Sequence, residues 1–383
     1  MHEPTWPQAR EAARRLARPC GTEWIPVAEA VGRTLAQPVT ALCPLPGYAT
    51  AAMDGWAVAG PGPWTVVGEV LAGTAPPAQL ESGTAVVIAT GAAVPSGATA
   101  VVKREDGATT ARVLADLPVV PGSHVRPQAE ECRVGEVLLS PGSEMSPAAV
   151  GLAAAAGVDS VEVVRPPRVR LLLLGDELLD SGIPAVGQVR DSLGPQIPGW
   201  VDRLGGVVTG IVRVPDTVVD LTGALAACDD VELVLTTGGT AAGPVDCLHQ
   251  SLAALDAELV VDSVAVRPGH PMLLARLGDL PVVGLPGNPQ SAVVALMTLG
   301  APLFGGMLGR PEPELGQVFL TQELKAPAHE HRLVAGSRSG TSFTAASHLG
   351  SAMLRGLATA EGFAVLPPGG AAIGTEVPWL PLP

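Results

Sequence analysis

The side chains best suited to chemistry stand in short Gly- and Pro-rich segments that follow apolar runs. Leu235-Thr-Thr-Gly-Gly-Thr-Ala-Ala-Gly-Pro-Val-Asp246 combines Gly238, Gly239 and Gly243 with the polar groups of Thr240 and Asp246. Glycines let backbone N–H groups approach an anion closely, and a helix N-terminus just after them adds a partial positive charge. A phosphate or a bound metal suits such a loop, as does a tight strand-to-helix turn with no ligand. Gly175-Asp-Glu177-Leu follows the apolar run Val169 to Leu174. A carboxylate pair at a strand end serves as a Mg²⁺ or general-base position, or equally as a helix N-cap. In Gly284-Leu-Pro286-Gly287-Asn288-Pro-Gln-Ser291, two prolines stiffen the loop, and Asn288 and Ser291 can cap a helix or donate to a ligand. Arg267-Pro-Gly-His270-Pro sets two potential cations on one stiff turn, although a lone Arg is usually a solvated group and a lone His a satisfied one. Ala52-Met-Asp54-Gly-Trp adds a carboxylate that, without context, is only a turn.

These segments need elements to hold them. Between residues 168 and 308, strand patterns at Val169 to Leu174, Val207 to Val214, Glu232 to Thr236 and Pro281 to Gly284 alternate with helical ones. The helices are expected at Ile197 to Leu204, Val218 to Ala227, Cys247 to Leu255 and Gln290 to Leu299. This alternation predicts a doubly wound α/β domain with a parallel sheet and ligands at the strand C-termini. From Trp64 to Val120, short Val-rich runs between Gly/Pro turns predict a small β-rich domain, and short strands return after Arg310. Helices are expected at Gln8 to Ala17, Ile25 to Leu35 and Ser146 to Ala156. The chain therefore divides into an N-terminal helical and linker domain (1–45 with 133–167), a β-rich domain (46–132), the α/β domain (168–310) and a C-terminal β domain (311–383). The fold class is α/β, multidomain.

With 383 residues, several cores are needed, and a hydrophobic fraction of 47% supplies them. The formal charge of −14 argues against a nucleic-acid partner, which calls for a basic stripe. Five cysteines lie far apart with no Cys-x-x-Cys pair, which excludes a zinc ribbon and suits a reducing compartment. The start MHEPTWPQAR lacks the apolar core of a signal peptide. The run from Ala292 to Leu308 is interrupted by Gly300, Pro302, Gly305 and Gly306 and falls short of a membrane span. A cytoplasmic protein with no membrane partner is expected.

The order of the motifs carries more than any one of them. Pro44-Leu-Pro-Gly and Ala-Met-Asp54-Gly-Trp come first, followed by Ala89-Thr90-Gly-Ala-Ala-Val-Pro, Gly-Asp-Glu177-Leu and Gly187-Gln-Val-Arg-Asp191-Ser. Val-Pro-Asp216, Thr-Gly-Gly-Thr240 with Asp246, Arg-Pro-Gly-His270-Pro and Gly-Leu-Pro-Gly-Asn288-Pro complete the series. It resembles the MoeA proteins, molybdopterin molybdenumtransferases, and the E domains of gephyrin and its plant counterpart, from the first helix into the C-terminal β domain.

The resemblance implies an elongated homodimer of four-part subunits whose site draws on both subunits. It implies adenylylated molybdopterin and molybdate as substrates, insertion of molybdenum at the dithiolene, release of AMP and a need for Mg²⁺. It also implies exchange with a molybdopterin adenylyltransferase and with apo-molybdoenzymes. By motif position, Asp54, Glu177, Asp216 and Asp246 match the family's functional acids, the last three as metal ligands. Glu131 falls where the family commonly has a functional Asp, and Thr90 matches the threonine of its Thr-Gly motif. The Gly238–Gly243 and Pro286–Ser291 loops would hold the pterin substrate. Arg267 and His270 match two lysines of a Lys-Pro-Gly-Lys-Pro turn, and Arg332 and Ser351 resemble an Arg and a Ser that face the molybdate anion. Departures thin the donors around that anion: His270 is only partly protonated at neutral pH, Ala241 replaces a serine, Thr50-Ala51 replaces Asn-Ser, and Arg355-Gly356 replaces Ser-Ser. Two other functions compete: a molybdopterin adenylyltransferase, which shares the α/β domain, and a non-catalytic molybdopterin-binding scaffold.

Overall fold

The computed structural model describes residues 1–240 and 247–383, so Ala241 to Asp246 lie outside the described residues. The chain forms two compact units. One comprises Met1–Glu23, Gly32–Ala36 and Val163–Pro383; the other comprises Trp24–Val31 and Gln37–Glu162.

Helix α1 (Trp6–Leu16) of the larger unit starts where Thr5 and Gln8 form a capping box and Pro7 opens the first turn. The smaller unit is built on a mixed sheet. Its main strands are β1 (Gly55–Val58), β2 (Trp64–Val70), β3 (Thr84–Ile88) and β4 (Ala100–Lys103), in the order β4-β1-β3-β2, extended by the pairs Val113–Leu114 and Thr109–Thr110. Neighbouring residues in these strands enter different cores. Ala57, Val86 and Val101 join one cluster, and Val58, Ala85 and Val102 the other. Both faces of β1, β3 and β4 are covered, so these strands read as apolar runs, whereas the middle of β2 is exposed at Val67. Helix α2 (Pro147–Ala155) is capped by the Ser146 hydroxyl accepting from the Ala149 N–H. The helix expected over Ile25 to Leu35 is not formed. Thr22–Pro26 is a strand, Val27–Glu29 is one tight turn, and Gly32 at φ 79° turns the chain away.

The larger unit is centred on β5 (Arg168–Leu174), α3 (Leu193–Arg203), β6 (Val207–Val214), α4 (Val218–Ala226), β7 (Leu233–Thr237) and α5 (Cys247–Ala254). Then come β8 (Glu258–Asp262), β9 (Leu273–Leu277), β10 (Leu280–Leu285) and α6 (Pro289–Met307). The sheet order is β6-β5-β7-β10-β9-β8. The first four strands are parallel, and β9 and β8 are antiparallel additions, so the sheet is mixed where a parallel one is expected. On β5, Val169, Leu171 and Leu173 face the core shared with α1, α3 and α6, and Leu172 and Leu174 face that of α4 and α5. A barrel follows, made of β11 (Gly316–Leu320), β12 (His331–Ser339), β13 (Ser342–Ala345), β14 (Gly362–Leu366) and β15 (Glu376–Pro381). The pairing of β12 with β14 closes it around Val318, Val334, Phe343 and Trp379.

The glycines and proline of the 292–308 run do not break the helix. Helix α6 continues through a π turn at Leu296–Gly300 to Met307. It is long and apolar enough to cross a membrane by composition, but 83% of it is buried in the fold, which makes it a core helix. Pro302 has no N–H to give and Ala301 donates to Leu296, so the Met297 carbonyl lies outside the helical ladder. The buried Arg10 guanidinium donates to it at 2.7 Å and lies over the Trp6 ring. Trp6 Nε1 donates to the Thr298 hydroxyl at 3.0 Å. Gly306 lets α1 come close, since a Cβ there would stand 2.4 Å from that of Ala17. Arg10→Met keeps the packing length and removes the donor. It should cost about 1–3 kcal/mol, the penalty for a buried polar group left without its partner, measured as a lower urea midpoint; an unchanged midpoint would show that the carbonyl finds another donor.

Candidate functional site

The parallel strands decide where most of the candidate residues stand. Leu174 is in register with Val214, Leu173 with Thr237, and Thr237 with Leu285. Asp216, Gly175–Glu177, Gly238–Thr240 and Pro286–Ser291 therefore leave four adjacent strands at one edge of the sheet, where the α/β architecture gathers ligand-binding loops. Gly238 and Gly239 turn the chain at φ 83° and 63°. The Gly238 N–H donates to the Leu285 carbonyl at 2.8 Å, tying the two loops together. The Thr240 side chain is buried, packed near Gly284. Thr236 and Thr237 end β7 with buried hydroxyls that have no partner among the described residues.

No helix follows the Gly-Asp-Glu turn, so it is not an N-cap. The backbone passes into the short strand Leu178–Leu179. Asp176 and Asp216 clasp each other: the Asp176 N–H donates to Asp216 Oδ2 at 3.2 Å, and the Asp216 N–H to Asp176 Oδ1 at 3.4 Å. Glu177 is exposed beside them and has no side-chain partner among the described residues. Asp191 caps α3 by accepting from the Leu193 and Gly194 N–H groups at 2.9 and 3.0 Å. Asp246 and Gly243 lie outside the described residues. Asp176 was legible only as the silent half of the carboxylate pair.

Asn288 precedes α6 in extended geometry but makes no side-chain cap. The Gln290 and Ser291 N–H groups instead donate to the Ser351 carbonyl at 3.0 and 3.4 Å, so the loop carrying Ser351 lies over the helix start. Arg267 and Arg332 are register partners between the short strand Val266–Arg267 and β12, which brings two expected anion-binding cations side by side. Arg332 donates to the Lys325 carbonyl at 2.7 Å. Each basic side chain of the Arg-Pro-Gly-His turn already faces a carboxylate: Arg267 Nε donates to Glu330 at 2.9 Å, and His270 Nε2 lies 2.7 Å from Glu3. Burial pushes the imidazole of the neighbouring His331 below its ordinary pKa.

In the smaller unit, Asp54 and Thr90 form one group. The Thr90 hydroxyl and backbone N–H both donate to Asp54 Oδ1 at 2.6 Å. Gly55 is required next to it, because a Cβ there would stand 1.9 Å from the Val102 carbonyl oxygen. Glu131 is exposed on a segment held by Leu45, with no side-chain bond to Asp54 or Thr90. The Thr90 hydroxyl, then its N–H, holds the Asp54 carboxyl below the usual aspartate range against a small opposing effect of desolvation. A depressed carboxyl contributes stability above its unfolded pKa and loses it as pH falls through the folded value. Thr90→Val should raise the Asp54 pKa toward that of an ordinary aspartate in a side-chain carbon NMR titration. An unmoved titration would show that the hydroxyl does not hold the carboxylate.

Comparison with known proteins accounts for nearly the whole chain. Residues 5–157 match the MoeA N-terminal region (domain I and II), residues 170–305 a probable molybdopterin binding domain, and residues 318–382 the MoeA C-terminal region (domain IV). Molybdopterin molybdenumtransferase 2 of Mycobacterium tuberculosis is 31% identical over 381 residues, covering 92% of both chains. The molybdopterin molybdenumtransferase of Synechococcus elongatus is 34% identical over 295 residues, 72% of this chain and 73% of that one. A crystal structure of a molybdopterin biosynthesis MoeA protein from Pyrococcus horikoshii superposes with a TM-score of 0.80 at 26% identity, covering 100% of this chain and 99% of the other. A second from the same organism gives 0.85 at 22% identity over 99% and 100%. The motif order, the sheet edge and these matches along the chain agree, and the protein belongs to the MoeA family.

Proposed function

We propose that this chain is a molybdopterin molybdenumtransferase of molybdenum cofactor biosynthesis, taking adenylylated molybdopterin and molybdate, inserting molybdenum at the dithiolene and releasing AMP. The observation that carries this is the single sheet edge joining Asp216, Asp176–Glu177, the Gly238–Thr240 loop and the Pro286–Ser291 loop, inside a domain flanked on both sides by MoeA-specific regions. An adenylyltransferase fits less well, because those flanks have no part in that activity. A non-catalytic scaffold fits less well, because the acids at the strand ends and the Asp54–Thr90 pair are all retained.

The substrate's phosphates would meet the Gly239–Thr240 backbone, since the Gly238 N–H is spent on Leu285. Exposed carboxylates at two adjacent strand ends form an all-oxygen donor set that fits Mg²⁺. Glu177 and Asp216 would hold the ion, with Asp246 as the third ligand. When bound, Mg²⁺ shields the charge of the phosphoanhydride being cleaved. Asp176 holds Asp216 in position, and Asp54, kept ionised by Thr90, serves as the acid of the smaller unit together with Glu131. Arg267, His270, Arg332 and Ser351 would receive molybdate. The dianion must compete there with Glu330 and Glu3 for the turn's two cations.

The active form is a homodimer in the cytoplasm, supplied by the adenylyltransferase and serving apo-molybdoenzymes. Ile183 and Val186, exposed just after the Gly-Asp-Glu turn, supply apolar surface for pairing, and five free cysteines suit a reducing compartment. Glu177→Gln and Asp216→Asn should each slow AMP release by on the order of 10²-fold or more, followed by chromatography; near-normal release in both would remove the carboxylates from the mechanism. Light scattering at micromolar concentration should give twice the chain mass, and a fully active monomer would overturn the dimer.

A further inference from the structure

Three metal-ligating side chains from distant parts of the chain meet at the Arg267–His270 turn. A ring nitrogen of His270 and one carboxylate oxygen each from Glu3 and Glu330 lie within 4.8 Å of one another. Each of the three segments is tied to the same stretch, 262–266. The Glu3 N–H donates to the Asp262 carbonyl, the Val264 N–H to the His270 carbonyl, and the His331 N–H, next to Glu330, to the Ala265 carbonyl, all at 2.9 Å. The backbone thus fixes where the three side chains start. Two of them are sheltered: the Glu330 side chain is 14% exposed and that of His270 27%, with Glu3 on the open side at 47%.

We propose that Glu3, His270 and Glu330 form a binding site for a borderline-soft divalent cation of the Zn²⁺ class. One imidazole and two carboxylates are a ligand set found in sites of this kind, with a further position left for water. The nitrogen ligand selects such an ion over Mg²⁺, which keeps to oxygen. Ligand distances of about 2.0–2.2 Å around one ion require the three atoms to stand roughly 3–4 Å apart. The three atoms already stand within 4.8 Å of one another, so side-chain rotation would have to close the remaining gap. Arg267 binds Glu330 through Oε2, which leaves Oε1 for the ion and orients the carboxylate from behind. The two carboxylates bring two negative charges to the ion, and Arg267 stands behind Glu330 and is not itself a ligand. The site stands on this geometry alone and does not depend on the transferase activity.

The test is titration calorimetry of the full chain, stripped of metal, with Zn²⁺ alone. Co²⁺ absorption on the same protein serves as a second signature. His270→Lys removes the imidazole ligand and sets a cation beside Glu3; Glu330→Gln removes an anionic oxygen and keeps the shape. One Zn²⁺ equivalent per chain is expected, weakened at least about tenfold in both variants, with the Co²⁺ bands lost. Should Glu330→Gln fail to fold, the exposed Glu3→Gln takes its place. No stoichiometric Zn²⁺, or Zn²⁺ affinity unchanged in the folded variants, would overturn the proposal. Retained binding would place the ion on the nearby His2, His249 and Asp262 side chains.

Discussion

The parallel pairing of β6, β5, β7 and β10 is the constraint on which the rest of the molecule depends. Parallel strands need long crossovers, and the crossovers are helices, so both faces of the sheet are covered. The central strands are then largely apolar, and most of the buried polar side chains of β7 stand at its end. All four strands end on the same edge, so the carboxyl ends become the one place where acids, glycines and hydroxyls can collect without loss of core. Asp216, Asp176 and Glu177, and the Gly238 and Pro286 loops stand there for that reason. Helix α6 packs against the same sheet, and its first turn receives the Ser351 carbonyl, so the barrel is anchored at the same edge.

What could be read in advance follows from the same physics. Val169 to Leu174 was legible because a strand buried on both faces leaves an apolar run, Leu171 to Leu174, with only Arg170 before it. The antiparallel strands β8 and β9 were not, because Glu258 and Leu259 are exposed at the sheet edge and Arg276 interrupts the apolar pattern of β9. Gly305 and Gly306 looked like helix breakers. Their low propensity is outweighed by the approach of α1, a tertiary contact with no local signal. The chemical residues divide the same way. Asp54, Thr90, Glu177 and Asp216 lie in motifs, so their order along the chain exposed them. That Thr90 grips Asp54, or that Asp176 and not Glu177 clasps Asp216, depends on turns brought together by pairing. Glu3 and Glu330 belong to no motif and stand at opposite ends of the sequence, so their meeting at one turn is knowable only from the fold.

The arrangement also limits which proton transfers the protein can perform. Asp54 is stabilised as an anion by two donors, so it is suited to accept a hydrogen bond or hold a cation and poorly suited to act as a proton donor at neutral pH. Glu177 and Asp216 are exposed at the strand ends, open to a phosphate group and its counter-ion. For cleavage of a phosphoanhydride this is no handicap. The departing AMP phosphate is a good leaving group and needs charge neutralised more than it needs a proton, because phosphoryl transfer depends mainly on positioning and electrostatics. In the proposed reaction, exposed carboxylates at the end of the sheet would hold a cation and orient water, which meets that need. A protonated acid would add little. The chemistry proposed for this edge thus calls on exposed carboxylates such as Glu177 and Asp216, while the sheltered Asp191 is taken up in capping α3.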